Sequence, residues 1–293
     1  ADVVSIGELM IALKAGINPK KIVFSGVGKT SDEISYAIKK NILLINSESK
    51  SEIIEIARIA KLKKKQVNVG IRLNPNTDAK TLTQISTGKK ENKFGVNNKT
   101  FYELVNYCKN SNDIKLKCLS VHIGSQILDH KPYEKTLRVV DKIIKKINHK
   151  FEFIDLGGGM GISYFNKKKQ LNYKRYNNAL KKFLKNHKSK IIFEPGRSII
   201  GDTGTLISKI IYIKKNNKKE FIILDAGMND LMRPALYGAS HRMIPVIKKN
   251  KKSKINYEFV GPICESTDKF KTTNNFQKLE EKEFIAICDV GAY

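Results

Sequence analysis

The chain has 293 residues, enough to bury a large core in one large or two ordinary domains. No apolar run approaches the length of a membrane-spanning helix, and no secretory signal pattern is visible at the start of the sequence. The net charge of +27 first suggests a nucleic-acid-binding protein, but the lysines are spread along the whole chain and no arginine-rich or aromatic-basic motif accompanies them. We therefore expect neither nucleic acid nor a membrane as a partner.

Seven strand-like segments precede residue 195, and a helical pattern follows each of the first six. The predicted strands are Ala1–Ser5, Lys21–Ser25, Ile42–Asn46, Val67–Leu73, Lys117–Ile123, the apolar run that starts at Phe151, and Ile191–Glu194. The predicted helices are Ile6–Ala15, Ser31–Lys40, Ser49–Lys64, Lys99–Cys108, Tyr133–Ile147 and Tyr173–His187. Strands that alternate with helices at this spacing predict a parallel sheet, and so long a series predicts a (β/α)8 barrel of the TIM type.

The strand count is one short of the eight that close such a barrel, and the chain begins inside a βα unit. We therefore expect the first unit, roughly 30 residues, to precede residue 1. After about Gly204 the pattern changes to strand-like segments without regular helices, namely Leu206–Lys214, Glu220–Asp225, Ile255–Val260 and Glu283–Asp289. We predict a barrel domain over residues 1–203, incomplete at its N-terminus, and a mostly β domain over residues 204–293, incomplete at its C-terminus.

The cysteines and histidines show no pattern of a structural or metal site. Four cysteines (Cys108, Cys118, Cys264, Cys288) lie far apart without a C-x-x-C motif, which favours reduced thiols in a cytoplasmic protein. The five histidines have no metal-ligand spacing. We expect a cytoplasmic location and no metal ion.

Three polar motifs follow predicted strands at the edge where barrel enzymes carry their chemistry. Four glycines occur within Gly157–Gly161, and such a loop after a strand is able to hold a phosphate on its N–H groups. A tight turn is the simpler interpretation of a lone glycine cluster, and the third glycine of a dinucleotide fingerprint would fall on Ile162. The other motifs begin at His122 and Glu194. Together, a phosphate cradle, a planar ring and an acid suit a flat, phosphorylated, nitrogen-containing cofactor.

A nucleotide P-loop is also suggested, at Gly26-Val-Gly-Lys-Thr30. The P-loop pattern requires a glycine where Val23 stands, so we do not expect nucleotide binding there.

Six motifs, in order along the chain, resemble the diaminopimelate decarboxylase family, which belongs to the alanine-racemase-like group of pyridoxal-phosphate enzymes. They are His-Ile-Gly-Ser-Gln (122–126), Leu-Gly-Gly-Gly-Met-Gly (156–161), Glu-Pro-Gly-Arg (194–197), Met-Arg-Pro-Ala-Leu-Tyr (232–237), Cys-Glu-Ser-Thr-Asp (264–268) and Gly-Ala-Tyr (291–293). The resemblance implies decarboxylation of meso-2,6-diaminopimelate to L-lysine with pyridoxal 5'-phosphate. Ornithine and arginine decarboxylases share the barrel and glycine loop but have a shorter Cys-Asp pattern, so they are the second alternative.

The resemblance also implies which residues hold the cofactor. Glu194 would face the ring nitrogen, His122 would stack on the ring, and Ser125 would hydrogen-bond near the phosphate. The phosphate would be wrapped by Gly157, Gly158, Gly159, Gly161, Gly196 and Arg197, and Tyr293 would reach both cofactor and substrate.

For the substrate, the resemblance implies a distal carboxylate bound by Arg197 and Arg233, with help from Tyr237. Glu265 would hold the distal ammonium group, and Cys264 would be the acid that returns a proton to the reacting carbon. From the residues alone, Cys264 would pass as a small buried apolar side chain. The family's Cys264 loop reaches the neighbouring subunit's site, so a homodimer is implied.

One essential residue of the family is not found in this sequence. The family binds the cofactor as a Schiff base to a lysine at the end of the first barrel strand, the unit that we expect before residue 1. Lys14 lies in a similar string but within a predicted helix, so we reject it. We therefore expect this chain by itself to be inactive, and a non-catalytic relative of the decarboxylases remains an alternative.

Overall fold

The computed structural model describes residues 1–81, 85–89, 91–164, 170–216, 219–249 and 252–293, with the backbone alone for residues 252–254. The chain divides into two compact units. The first contains residues 1–160 and 171–195, and the second contains residues 161–170 and 196–293. The predicted boundary at residues 203 and 204 stays a prediction. No helix within the described residues is both long and apolar enough to cross a membrane.

The first unit is a seven-stranded parallel sheet whose strands are adjacent in sequence order. The strands are β1 (Asp2–Val3), β2 (Val23–Phe24), β3 (Leu44–Ser47), β4 (Val67–Arg72), β5 (Ile114–Ser120), β6 (Phe153–Asp155) and β7 (Lys190–Ile192). The helices are α1 (Ile6–Lys14), α2 (Ser31–Lys40), α3 (Lys50–Leu62), α4 (Asn98–Lys109), α5 (Lys131–Lys146) and α6 (Tyr173–Leu184). All seven predicted strands and six predicted helices are present, which confirms the predicted barrel class.

Side-chain caps explain where several of these helices begin. In α2 the hydroxyl of Thr30 accepts a hydrogen bond from the Glu33 N–H, and the Glu33 carboxylate accepts one from the Thr30 N–H. The helix ends at Lys40, and the following residue, Asn41, adopts a left-handed conformation that asparagine tolerates. Ser49 caps α3 in a similar way. These local signals fix the helix limits, and α2 has the predicted limits.

The P-loop lookalike has a structural role. Lys29 has a fully buried side chain and forms an ion pair with Glu52 at 2.8 Å. Its ammonium also donates to the Asn46 carbonyl at 2.8 Å and to the Gly26 carbonyl. The next residue, Thr30, is the cap of α2. Lys29 therefore joins the loop after β2 to β3 and α3, and Thr30 starts α2.

Two hydrophobic clusters stabilise the first unit. The larger lies between the sheet and the helices and includes Phe24, Ile53 and Phe101, all with no exposed surface. The smaller contains Val23, Leu44, Cys118 and Phe153, which project from the other face of neighbouring strands. Burial of one such isoleucine or phenylalanine contributes roughly 1.5–3 kcal/mol. Strand residues are apolar on both faces, as expected where helices cover a parallel sheet.

The second unit is built on a six-stranded sheet in the order β10-β13-β8-β9-β11-β12, in which β9 and β11 alone are paired in parallel among the described strands. Its strands are β8 (Thr205–Asn216), β9 (Lys219–Leu224), β10 (Met243–Pro245), β11 (Lys252–Val260), β12 (Lys269–Gln277) and β13 (Phe284–Cys288), and its helices are α7 (Arg197–Ile200) and α8 (Arg233–Tyr237). The mostly β prediction is confirmed. Sequence reasoning missed β10, β12 and the two short helices.

Candidate functional site

The ends of β5, β6 and β7 bring three predicted motifs together. Ser120 pairs with Asp155, and Asp155 pairs with Ile192. Two positions after these three residues stand His122, Gly157 and Glu194, one from each motif. The Gly158 N–H donates to His122 Nδ1 at 3.1 Å, and the Glu194 N–H donates to the Gly157 carbonyl at 2.9 Å. The structure therefore confirms that these motifs are neighbours.

The glycine loop needs residues without side chains. Gly157 and Gly159 have φ values of +64° and +88°, a region that L side chains rarely adopt. A Cβ atom on Gly158 would overlap the carbonyl oxygen of Glu194, and one on Gly157 would lie 2.6 Å from His122 Nδ1. The loop thus packs its backbone directly against the two other motifs. Gly161 belongs to the second unit.

His122 is a neutral imidazole in this arrangement. Its Nδ1 accepts the Gly158 N–H, so a ring proton belongs on Nε2. Burial, followed by the positive charge of Arg72, lowers the pKa of His122 to about 4. The 3.8 Å separation between Nδ1 and Glu194 Oε2 is therefore a contact with a neutral ring and not an ion pair. A neutral planar ring is suited to stacking on an aromatic ligand.

Glu194 belongs to a cluster of three acids, with Asp155 and Asp2. Burial, and then the charge of Asp2, raises the pKa of Glu194 to about 7, and burial raises the pKa of Asp2 to about 6. Asp155 is fully buried, and burial followed by the charge of Glu194 raises its pKa well above the ordinary value. Arg72 is a cation that lowers the pKa of both Asp2 and Glu194. The cluster would be stabilised by a further positive group beside Glu194.

Asp155 also connects the cluster to the glycine loop. Its Oδ1 accepts the Gly157 N–H and its Oδ2 accepts the Asn46 side-chain amide, both at 2.9 Å. Ser25 donates to Glu194 Oε1 at 3.4 Å. Of these residues, Asp155 stands two positions before the first glycine of the loop and was open to prediction. Ser25 and Asn46 carry no local signal.

Ser125 lies in the loop after β5 and is half-buried. Its backbone N–H donates to the Ile85 carbonyl at 2.9 Å, and the following Gln126 has a φ of +59°. Ser125 therefore lies in the same loop as His122. Its contact with a phosphate stays a prediction.

In the second unit, two buried arginines surround one tyrosine. Arg197, at the start of α7, donates to the Tyr164 hydroxyl, and the Arg233 guanidinium carbon lies 4.4 Å from the centre of the Tyr164 ring. Arg197 and Arg233 are 5% and 6% exposed. The Nε of Arg233 has no hydrogen-bond partner among the described residues. An arginine donor buried without a partner is rare, and it marks a place for an acceptor.

The two predicted tyrosines differ in burial. Tyr237 is half-buried at the end of α8. Tyr293 is 78% exposed, and its ring centre lies 4.8 Å from the Arg197 guanidinium. Gly196 caps α7, and a Cβ atom on it would lie 3.9 Å from the Tyr293 hydroxyl. Gly196, Arg197 and Tyr293 are therefore neighbours, as the resemblance implies.

The loop with Cys264 and Glu265 is exposed, whereas the other three cysteines are buried. The interpretation of Cys264 as a small buried apolar side chain is therefore wrong. Asp268 fixes the loop, because its Oδ1 accepts the Met228 N–H at 2.7 Å and its Oδ2 accepts the Ile263 N–H at 2.8 Å. The thiol and carboxylate are thus presented on a loop tied at its base.

Two residues of the second unit were missed from the sequence, Tyr164 and His241. His241 Nε2 lies 2.8 Å from Arg233 Nη1. Neither residue stands in a motif, and nothing local indicated that they contact the arginines. The described residues include no cluster of three or more His, Cys, Asp or Glu side chains that could hold a metal ion.

Comparisons with known proteins agree on one family. Residues 1–201 match the pyridoxal-binding domain of pyridoxal-dependent decarboxylases. A diaminopimelate decarboxylase from Helicobacter pylori is 46% identical over 297 aligned positions, which cover 100% of this chain and 73% of that protein.

Solved structures give the same result. The crystal structure of diaminopimelate decarboxylase from Helicobacter pylori, complexed with L-lysine, has a TM-score of 0.94 and 44% identity, and the match covers 100% of this chain and 74% of that chain. An arginine decarboxylase from Paramecium bursaria Chlorella virus has a TM-score of 0.85 at 19% identity, covering 100% of this chain and 78% of that chain. The latter similarity shows the fold alone.

Proposed function

The chain belongs to the pyridoxal-dependent decarboxylase family, and on that premise we propose that it decarboxylates meso-2,6-diaminopimelate to L-lysine and CO2. The relatives at 37–46% identity are diaminopimelate decarboxylases, and each match spans the whole of this chain. The similar structure from Helicobacter pylori was solved with L-lysine, the product of this reaction.

The residues of the first unit fit pyridoxal 5'-phosphate, the family's cofactor. When bound, this cofactor accepts the electron pair left by cleavage of the Cα–carboxylate bond. Glu194 has a raised pKa because it is buried among acids, and a protonated ring nitrogen would supply the missing positive charge. Neutral His122 would stack on the ring, and the Gly157–Gly159 backbone would hold phosphate oxygens.

The observation that favours this substrate is the buried, unpartnered Nε of Arg233. A guanidinium fork binds a carboxylate bidentately. Diaminopimelate has a second carboxylate at its distal end, whereas ornithine and arginine have a cation there. A buried arginine would repel that cation, so Arg233 favours diaminopimelate over the substrates of ornithine and arginine decarboxylases.

The remaining roles belong to the same proposal. Arg197 and Tyr237 would assist Arg233, Glu265 would hold the distal ammonium, and exposed Cys264 would return a proton to the reacting carbon. Tyr293, beside Arg197, would contact cofactor and substrate. Gly161, Gly196 and Ser125 would contribute to the phosphate site.

The assembly and location are also proposed. We propose a homodimer in which the Cys264 loop serves the partner's site, and sedimentation velocity tests it. The four unpaired cysteines support a cytoplasmic location. Lys14 is the exposed last residue of α1, which supports its rejection as the lysine that binds the cofactor.

The test compares CO2 release from meso-diaminopimelate, L-ornithine and L-arginine by the cofactor-loaded full-length protein. We expect release from diaminopimelate alone. Arg233→Met should raise the KM for diaminopimelate by roughly ten- to a hundredfold, since it removes a charge-assisted hydrogen-bond pair. Arg242→Met, at an exposed neighbouring position, should leave the KM unchanged. Equal release from ornithine, or an unchanged KM in Arg233→Met, would contradict the proposal.

A further inference from the structure

His241 is almost completely buried beside Arg233, with 2% of its surface exposed. Its Nε2 lies 2.8 Å from Arg233 Nη1, and its Nδ1 lies 3.0 Å from the Cys288 carbonyl oxygen. Tyr164 packs its ring against both groups, 4.4 Å from the guanidinium carbon and 5.3 Å from the centre of the imidazole in an edge-on arrangement. All polar atoms of the imidazole are therefore occupied.

The two partners determine the tautomer of His241. Arginine is only a donor, so Nε2 must accept from Arg233. The Cys288 carbonyl is only an acceptor, so Nδ1 must carry the proton. A neutral imidazole with the proton on Nδ1 satisfies both contacts, and a doubly protonated ring would direct an N–H at the Arg233 cation.

This contact also selects the edge of Arg233 that remains for a ligand. Nη1 is occupied by His241, whereas Nε has no partner among the described residues. A carboxylate binds side-on to the edge formed by Nε and Nη2. A fixed guanidinium loses less freedom when it binds, which strengthens binding.

We propose that His241 is a positioning residue that holds the Arg233 guanidinium for the substrate's distal carboxylate. The inference rests on the proposed function, in which Arg233 binds that carboxylate. His241 itself would not touch the substrate. Its role is to accept one Arg233 hydrogen bond and thereby leave the Nε edge to the ligand.

The surroundings keep His241 neutral near neutral pH. Burial is the main cause that lowers the pKa of His241, and the positive charges of Arg233 and Arg197 lower it further. The Cys288 carbonyl and the charge of Asp289 act in the opposite direction. Lys271 also faces this residue, since its ammonium donates to the His241 backbone carbonyl at 3.2 Å.

A matched pair of ligands isolates the distal carboxylate. L-Lysine retains it after decarboxylation, and 1,5-diaminopentane is the same molecule without it. Calorimetric titration of the cofactor-loaded full-length protein would give the dissociation constant of each ligand. Their ratio measures how strongly the carboxylate is recognised, without measuring turnover.

The variants separate an acceptor from a space-filling group. His241→Leu, which lacks the acceptor, should reduce the preference for L-lysine by roughly tenfold, the cost of one hydrogen bond to a charged group. His241→Gln, whose side-chain oxygen replaces Nε2 as acceptor, should retain most of it. In the wild type the preference should fall as the pH drops below the ordinary imidazole range, whereas in His241→Gln it should not.

Arg233→Met distinguishes failure of this inference from failure of the proposed function. If Arg233→Met keeps the preference for L-lysine, the proposed function of Arg233 is wrong. If Arg233→Met loses the preference and a folded His241→Leu keeps it, only the role of His241 is wrong. Should His241→Leu fail to fold, equal pH dependence in the wild type and His241→Gln would overturn the inference.

Discussion

Glu194 is held in an unusual protonation state by its neighbours and not by its own sequence context. Burial and the charge of Asp2 raise its pKa to about 7, and Asp155 shares a hydrogen bond with it. An acid whose pKa is higher in the folded than in the unfolded state stabilises the fold at pH values below its unfolded-state pKa. This contribution is lost as the pH rises through its folded-state pKa. The contribution of Glu194 to the stability of the cofactor-free protein should therefore fall between about pH 4.5 and about pH 7, whereas the lowered pKa of His122 acts in the opposite direction.

Glu194→Gln should weaken this pH dependence, because the amide has a similar shape and no proton to lose. We expect the free energy of unfolding at about pH 8 to be roughly 2 kcal/mol higher in this variant than in the cofactor-free wild type, with a smaller difference at about pH 5. Urea unfolding at both pH values measures it. Glu103→Gln, at an exposed position on α4, is the control. Parallel pH profiles in wild type and Glu194→Gln would contradict the explanation.

Residues of the site that follow strands were predictable, and residues that act through distant contacts were not. His122, the glycines and Glu194 each stand directly after an apolar run, so their position at the sheet edge follows from strand order. Tyr164 and His241 contact Arg233 only because the chain folds back on itself. A contact between residues 69 positions apart, such as that of Tyr164 with Arg233, has no local signal in one sequence.

At the scale of elements, predictions were best where local capping decides the limits. Helix α2 has the predicted limits, because Thr30 and Glu33 form a capping box. Strand β5 begins three residues earlier than predicted, since Ile114 and Leu116 are buried although Lys115 is exposed between them. Strand β12 was missed, because its lysines, threonines and asparagines resemble a polar loop.

The loop of residues 261–268 provides a prediction about one element. The Asp268 carboxylate accepts two backbone N–H groups, from Met228 and Ile263. Asparagine has only one acceptor oxygen, so Asp268→Asn leaves one of these N–H groups without an acceptor. We expect amide exchange in the loop to accelerate roughly tenfold or more, and a Glu-specific protease to cleave faster after Glu265. Exchange mass spectrometry measures the first effect.

The control for this prediction is Asp225→Asn. Asp225 also accepts two hydrogen bonds, from the Ser208 hydroxyl and the Lys209 N–H, but it does not contact the loop. Its replacement should leave exchange in residues 261–268 unchanged. If Asp268→Asn also leaves that exchange unchanged, Asp268 does not fix the Cys264 loop.

For the whole molecule, strand order was predictable in one unit and not in the other. In the first unit every pair of sequential strands is adjacent and parallel, so alternation of strands and helices defines the topology. In the second unit β8 pairs with β13 and β9, and β9 also pairs in parallel with β11. These long-range pairings depend on side chains from different strands that share one buried core, such as Ile210, Ile222 and Ile285. Strand patterns do not specify them.

The net charge of +27 affects the whole molecule and the proposed homodimer. Like charges spread over the surface repel one another, which opposes both folding and association of two copies. The Debye length falls from about 30 Å at about 0.01 M salt to about 8 Å at about 0.15 M. Adding salt over this range should therefore raise the dimer fraction in sedimentation velocity. It should also raise the unfolding free energy by about 1 kcal/mol, which corresponds to an increase of the melting temperature by about 2–4 °C.

NaCl and KCl should act equally at the same ionic strength, because screening does not depend on the ion. A dimer fraction that decreases with salt would indicate that attraction between opposite charges, and not repulsion, dominates the interface.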